Sequence, residues 1–227
     1  MFMDRYLTPI AVLLGALIVG AALMFGNGGA GQQAGTNPTG QPPAKAVDIA
    51  KVDLKNNPYV GQENAPVTIA VWFDFQCSFC KRFENTALKE VRDIYVKEGT
   101  VRIVYKDFPI LGQQSTDAAL YSSAVWEAYP TRWYEWFAAM FADDGESTAN
   151  LEAMNAISTS LGLDSSRIEK MMKDNGTRYQ AAIDADFAEG QGFGIGGTPA
   201  SIIGKQLISG AQPYAVVSAA IDAELKK

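Results

Sequence analysis

Val67-Thr68-Ile69-Ala70-Val71-Trp72-Phe73-Asp74-Phe75-Gln76-Cys77-Ser78-Phe79-Cys80-Lys81-Arg82-Phe83 is the stretch on which the reading of this chain turns. Its first seven residues are apolar but for Thr68, which suits a central strand buried on both faces. From Cys77 onward Phe79, Phe83, Leu88, Val91 and Tyr95 recur at helical intervals. The first cysteine therefore stands at a strand-to-helix junction. Unpaired backbone N–H groups and the positive end of a helix dipole favour an anion there. A thiolate so placed has a lowered pKa and is a nucleophile at neutral pH. The second cysteine follows about one turn later, close enough to close a disulfide. Such spacing fits a dithiol that is repeatedly oxidised and reduced.

Outward from that stretch, composition removes other chemistries. The chain has 227 residues, two cysteines and no histidine. Histidine-dependent triads, haem ligation after the second cysteine and most zinc catalysis are excluded. Both cysteines belong to the one motif, so no cofactor or metal is expected beyond a Cys77–Cys80 disulfide. The bland alternative is a structural disulfide or two inert thiols; a loop this small removes little entropy from the unfolded chain. A net charge of −6 speaks against nucleic acid as a partner.

Toward the N-terminus, residues 6–25 form an apolar run just long enough to span a bilayer as a helix. We expect a single transmembrane anchor rather than a cleaved signal peptide, because no small-x-small cleavage site follows. Arg5 precedes the run and no charge follows until Lys45, which places the N-terminus in the cytoplasm and the remainder outside. Residues 26–46, rich in Gly, Pro and Gln, read as a flexible linker of roughly 25 Å mean span. The folded domain then covers 47–227.

Within it, 47–56 fits either a short edge strand or a helical turn, and 58–66 reads as loop. Val101 to Tyr105 is the next strand, giving a βαβ unit with a parallel pair. Residues 113–190 are a helical insertion. Ser115 to Tyr129 ends before Pro130, and Trp133, Phe137, Met140 and Phe141 share one face, read as core. Asp164 caps a helix expected to end at Gly176, with a second over 177–189. Ala200 to Ile203 and Gln206 to Ser209 form a hairpin, and Pro213 opens a last helix.

The cysteine pair after a buried strand, with Gly197-Thr198-Pro199 before a later one, resembles the thioredoxin superfamily. The helical insertion, Phe73-Asp74-Phe75-Gln76 and Ser209-Gly210-Ala211-Gln212-Pro213-Tyr214 narrow the resemblance to DsbA-type oxidoreductases, over about residues 60–227. The resemblance implies an α/β thioredoxin fold with the helical insertion. It makes Cys77 the attacking thiolate and Cys80 the resolving thiol. Pro199 would be cis and present Thr198 to an extended substrate, and Ser78 and Phe79 would tune the thiolate and contact substrate. Two departures stand out. Phe79 occupies the place of a histidine found in strongly oxidising members, so helix dipole and backbone N–H groups are expected to carry most of the stabilisation. Val71 replaces a buried acid six residues before the first cysteine, which leaves Asp74 as the nearest carboxylate.

The function expected from this is disulfide donation to secreted, cysteine-containing proteins outside the cytoplasm, with re-oxidation by a quinone-linked membrane partner. A reductase or isomerase of the same fold, or a tethered peptide-binding domain without turnover, are the alternatives.

Overall fold

The computed structural model describes residues 47–142 and 149–227. The expected span at 6–25 and linker at 26–46 lie outside the described residues. Among the described residues no helix is long and apolar enough to cross a membrane.

A five-stranded mixed sheet forms the centre, built from β1 (Tyr59–Val60), β2 (Val67–Phe73), β3 (Val101–Asp107), β4 (Ala200–Ile203) and β5 (Gln206–Ser209). Its order is β1-β3-β2-β4-β5. Strands β2 and β3 run parallel with Val67 opposite Val101 and Phe73 opposite Asp107. Every other pairing is antiparallel. Position β2 is central, which is why its sequence is apolar without alternation: both faces are covered.

The period of two still sorts its side chains. Ile69, Val71 and Phe73 enter one core with Leu88, Val91, Phe137 and Ile221. Ala70 and Trp72 enter a second with Phe108, Ile195, Ala200 and Ile202. Val47 and Val52 close that second core, and between them Ile49–Lys51 makes a single 3-10 turn capped by Asp48. The undecided segment is thus a helical turn. The 58–66 segment, expected to be loop throughout, carries the short edge strand β1 against β3.

Helix α1 (Ser78–Asn85) follows β2 at once and is separated by Thr86 from α2 (Ala87–Val91), which runs into a wider turn over Arg92–Val96. Thr86 has φ −118° and ψ −93°, and its hydroxyl donates to the Arg82 carbonyl at 2.7 Å. Such back-bonding bends helices. Phe79 does not join the buried stripe; it is 53% exposed.

Between β3 and β4 come α3 (Gln113–Ala128), α4 (Trp133–Met140), α5 (Leu151–Ser160) and α6 (Ser165–Gly192). The aromatic face of α4 is core, as expected. Phe137 lies 4.5 Å from the Tyr105 ring and 5.1 Å from Phe73. Each such side chain, fully buried, contributes about 2 kcal/mol. Helix α6 corrects the expectation of two helices. Gly176 passes through it as one of 28 helical residues. A mid-helix glycine costs only about 1 kcal/mol, and the buried stripe of Ile168, Tyr179, Ile183 and Gly190 outweighs it. Asp164 caps α6 as expected, accepting from the Arg167 N–H at 3.0 Å. Helix α7 (Tyr214–Leu225) closes the chain with Pro213 at its N-cap.

Candidate active site

Strand β2 delivers the cysteine pair to the C-terminal edge of the sheet. Cys77 is the N-cap residue of α1 with extended φ −78° and ψ 111°. Its N–H donates to the Asp74 carbonyl at 3.1 Å, and its own carbonyl accepts from Lys81 at 3.1 Å. The Asp74 carboxylate fixes this corner. Oδ1 accepts from Gln76 N–H at 2.8 Å and the Ser115 hydroxyl at 2.7 Å. Oδ2 accepts from Ile110 N–H at 2.8 Å and Leu111 N–H at 3.1 Å. Four donors saturate this buried group, so it joins the strand end, the loop after β3 and the first turn of α3.

Across from the pair, the Thr198–Pro199 peptide is cis. Cys77 Sγ lies 3.3 Å from the Thr198 carbonyl, to which the thiol donates. Thr198 Oγ1 is buried and has no hydrogen-bond partner. An open depression of about 310 Å³ runs along Ile195, Gly196, Gly197, Pro199 and Gly210. Both cysteines are free thiols.

The two sulfurs have opposite electrostatics. The Cys77 thiol is lowered to about 6, first by a hydrogen bond from the Cys80 thiol, against the opposing effect of burial. Thr198 and the backbone of Cys80 and Phe79 lower it further. Side-chain donors thus lead, and the backbone amides, expected to carry most of the effect, follow. Cys80 is pushed well above the usual thiol range, first by burial and then by the hydrogen bond and charge of Cys77. At neutral pH the pair is one thiolate and one thiol.

The structure therefore brings together Cys77, Cys80, Thr198 and Pro199. Ser78 and Phe79 are exposed on the first turn of α1, where Arg82 lies 4.8 Å over the Phe79 ring. Among the described residues no group of three or more Cys, Asp or Glu could hold a metal ion.

Sequence reading passed over Glu84. It is only 3% exposed, four residues beyond Cys80 on the same helix. Its carboxylate pairs with Arg92 at 2.6 Å and accepts from the Tyr134 hydroxyl at 2.9 Å. A signal existed: an acid at the i+4 position between Phe83 and Leu88 falls within the buried stripe.

A family model described as Thioredoxin matches residues 53–223. The chain belongs to that family. Disulfide bond formation protein D of Bacillus subtilis is 24% identical over 178 residues, covering 76% of this chain and 79% of that protein. Among solved structures, the thiol-disulfide exchange protein alpha-DsbA2 from Wolbachia pipientis is 28% identical with a TM-score of 0.67, covering 74% of this chain and 87% of its own. Oxidised BdbD from Bacillus subtilis has a TM-score of 0.72 at 21% identity, covering 80% of this chain and 99% of its own. With the Cys77–Cys80 pair in place, the chain is a thiol–disulfide oxidoreductase.

Proposed function

We propose that this oxidoreductase works outside the cytoplasm and donates the Cys77–Cys80 disulfide to cysteine-containing secreted proteins. A substrate thiolate attacks Cys77 Sγ, the Cys77–Cys80 bond breaks, and Cys80 leaves with the electron pair and is protonated. A second substrate thiolate attacks its own sulfur in the mixed disulfide and releases Cys77 as a thiolate. The substrate loses two electrons and the enzyme gains them.

The observation that carries the direction is the Cys77 thiol lowered to about 6. A stabilised thiolate favours the reduced enzyme and is a good leaving group, so the disulfide is readily given away. The names of the curated relatives, disulfide bond formation proteins, support the same direction. Thr198 and Pro199 hold an extended substrate beside the sulfurs by short strand pairing, and exposed Ser78 and Phe79 meet it from the other side. Re-oxidation falls to a quinone-linked membrane partner. The apolar run at 6–25 supports an anchor in the cytoplasmic membrane with the catalytic domain on the outer side.

A Cys80→Ala variant of the full chain tests this. It should accumulate mixed disulfides through Cys77 with secreted proteins in cells, and equilibration with glutathione should place the wild type at a more oxidising potential than thioredoxin. Absence of trapped species, or a potential as low as that of thioredoxin, would overturn it.

A further inference from the structure

The chain as a whole is acidic, with a net charge of −6, yet the surface around its reactive sulfur is not. Four segments border Cys77. The first, 75–82, is its own turn of α1. The second, 108–113, is held there by the Ile110 and Leu111 N–H groups on Asp74. The cis-proline loop, 193–199, brings the Thr198 carbonyl to 3.3 Å from Cys77 Sγ. The fourth, 209–214, joins that loop where the Gly210 N–H donates to the Pro199 carbonyl at 2.8 Å. These segments contain no aspartate or glutamate, and their only charged residues besides the thiolate are Lys81 and Arg82. Asp74, three residues before Cys77, is buried and its oxygens already accept from four donors.

Arg82 is exposed, and among the described residues no carboxylate pairs with it. Its guanidinium instead lies 4.8 Å over the ring of Phe79, which is itself 53% exposed. Helical side chains lean toward the N-terminus of their helix, so Arg82 reaches back to the end of α1 that carries Cys77. Stacking fixes the plane of the guanidinium and leaves the N–H donors in that plane unused. Such a fork matches a carboxylate, which it binds through two parallel hydrogen bonds. Because the ring already holds the fork in place, less freedom is lost on binding.

We propose that Arg82, stacked on Phe79, is a specificity-determining residue that receives an acidic side chain close to the reacting cysteine of the substrate. The proposal deepens the function proposed above and rests on that reading. Along an extended peptide, residues rise about 3.3 Å each, so a side chain two positions from the cysteine stands about 7 Å away. Along α1, Arg82 lies about 7.5 Å beyond Cys77. The two spans agree, which puts the favoured acid about two residues from the substrate cysteine. The uncharged loops on the remaining sides of Cys77 offer nothing that would repel it.

The test is the oxidation of short synthetic peptides by the full chain in its disulfide form. Each peptide carries two cysteines, one of them flanked two positions away on both sides by Glu, by Gln or by Lys. The peptide gives up two electrons to form its own disulfide, and the Cys77–Cys80 pair takes them up as two thiols. The wild type should oxidise the Glu peptide about fivefold faster than the Gln peptide, and the Lys peptide most slowly. In Arg82→Gln the Glu-to-Gln ratio should fall to one or below, since the net charge of the chain then acts unopposed. The same peptides meet both enzymes, so any effect of a flanking residue on the peptide's own thiol cancels. Arg82→Lys keeps the charge without the planar fork and should retain only part of the preference. Both substitutions are at the surface and should leave folding unaffected.

A wild-type ratio of one, or a ratio unchanged in Arg82→Gln, overturns the proposal and leaves the oxidoreductase reading in place. So does a preference that Arg82→Lys keeps in full, which marks bulk charge in place of a stacked fork. If the wild type oxidises none of the peptides, the oxidoreductase reading itself fails and this inference falls with it.

Discussion

The Ser115 hydroxyl donates to Asp74 Oδ1 at 2.7 Å, fastening the first turn of α3 to the end of β2 three residues before Cys77. Through this bond the helical insertion holds the corner that carries the nucleophile. Without the Asp74 carboxylate, the Ile110 and Leu111 N–H groups and the Ser115 hydroxyl lose their acceptor. Asp74→Ala should therefore cost about 3 kcal/mol in urea unfolding. A loss below about 1 kcal/mol would show that the corner is held by packing alone.

Gly190 sits where α6 crosses the second core. A Cβ there would meet Trp72 Cδ1 and Nε1 and Phe108 Cε2, each at 2.9 Å. Two rigid rings in a packed core cannot both retreat. Gly190→Ala should lower stability by about 1–3 kcal/mol, although alanine is the better helix former. A stabilised variant would refute the close approach.

Lys106 is 1% exposed. It pairs with Asp186 at 2.6 Å and Glu189 at 3.0 Å, and donates to the Asp53 carbonyl at 2.6 Å. Lys106→Met strands two carboxylates beside an apolar chain, at a cost of about 3–5 kcal/mol. Chemical denaturation measures it. Adding Asp186→Asn and Glu189→Gln should recover much of the loss, and no recovery would place the cost in packing.

Reduced and oxidised forms should differ in their response to pH. Reduced Cys77 titrates at about 6 when folded against 9.0 as an ordinary thiol. Between those values the unfolded chain binds more protons, so stability rises with pH. The gain is complete above the ordinary value and is lost as pH falls through about 6. The disulfide form has no such group. Unfolding midpoints of the two forms should diverge from pH 6 to 9 in favour of the reduced chain, and parallel curves would contradict this.

The elements legible in the sequence were those whose signal is local. Val67 to Phe73 announced a doubly buried strand, and Asp164 announced a helix start through its own side chain. Gly176 misled because the local penalty of glycine is smaller than the packing of Ile168, Tyr179 and Ile183 around it. Tyr59 and Val60 are too few to show a period of two, so the edge strand became visible only through its pairing with β3. At the site, Cys77 and Cys80 were evident from spacing, and Thr198 and Pro199 came through family resemblance. Glu84 lies within the buried stripe of its helix, but its hydroxyl partners Tyr105 and Tyr134 stand 21 and 50 residues away, so the stripe alone does not show what pairs it.

One measurement bears most directly on the whole account: thiolate absorbance of the reduced chain against pH, with Cys80→Ser beside the wild type to assign the signal to Cys77. The account predicts a midpoint at about 6, with the second thiol still protonated well above the usual range. A midpoint at the ordinary 9.0 would leave Cys77 a protonated thiol at neutral pH and contradict it.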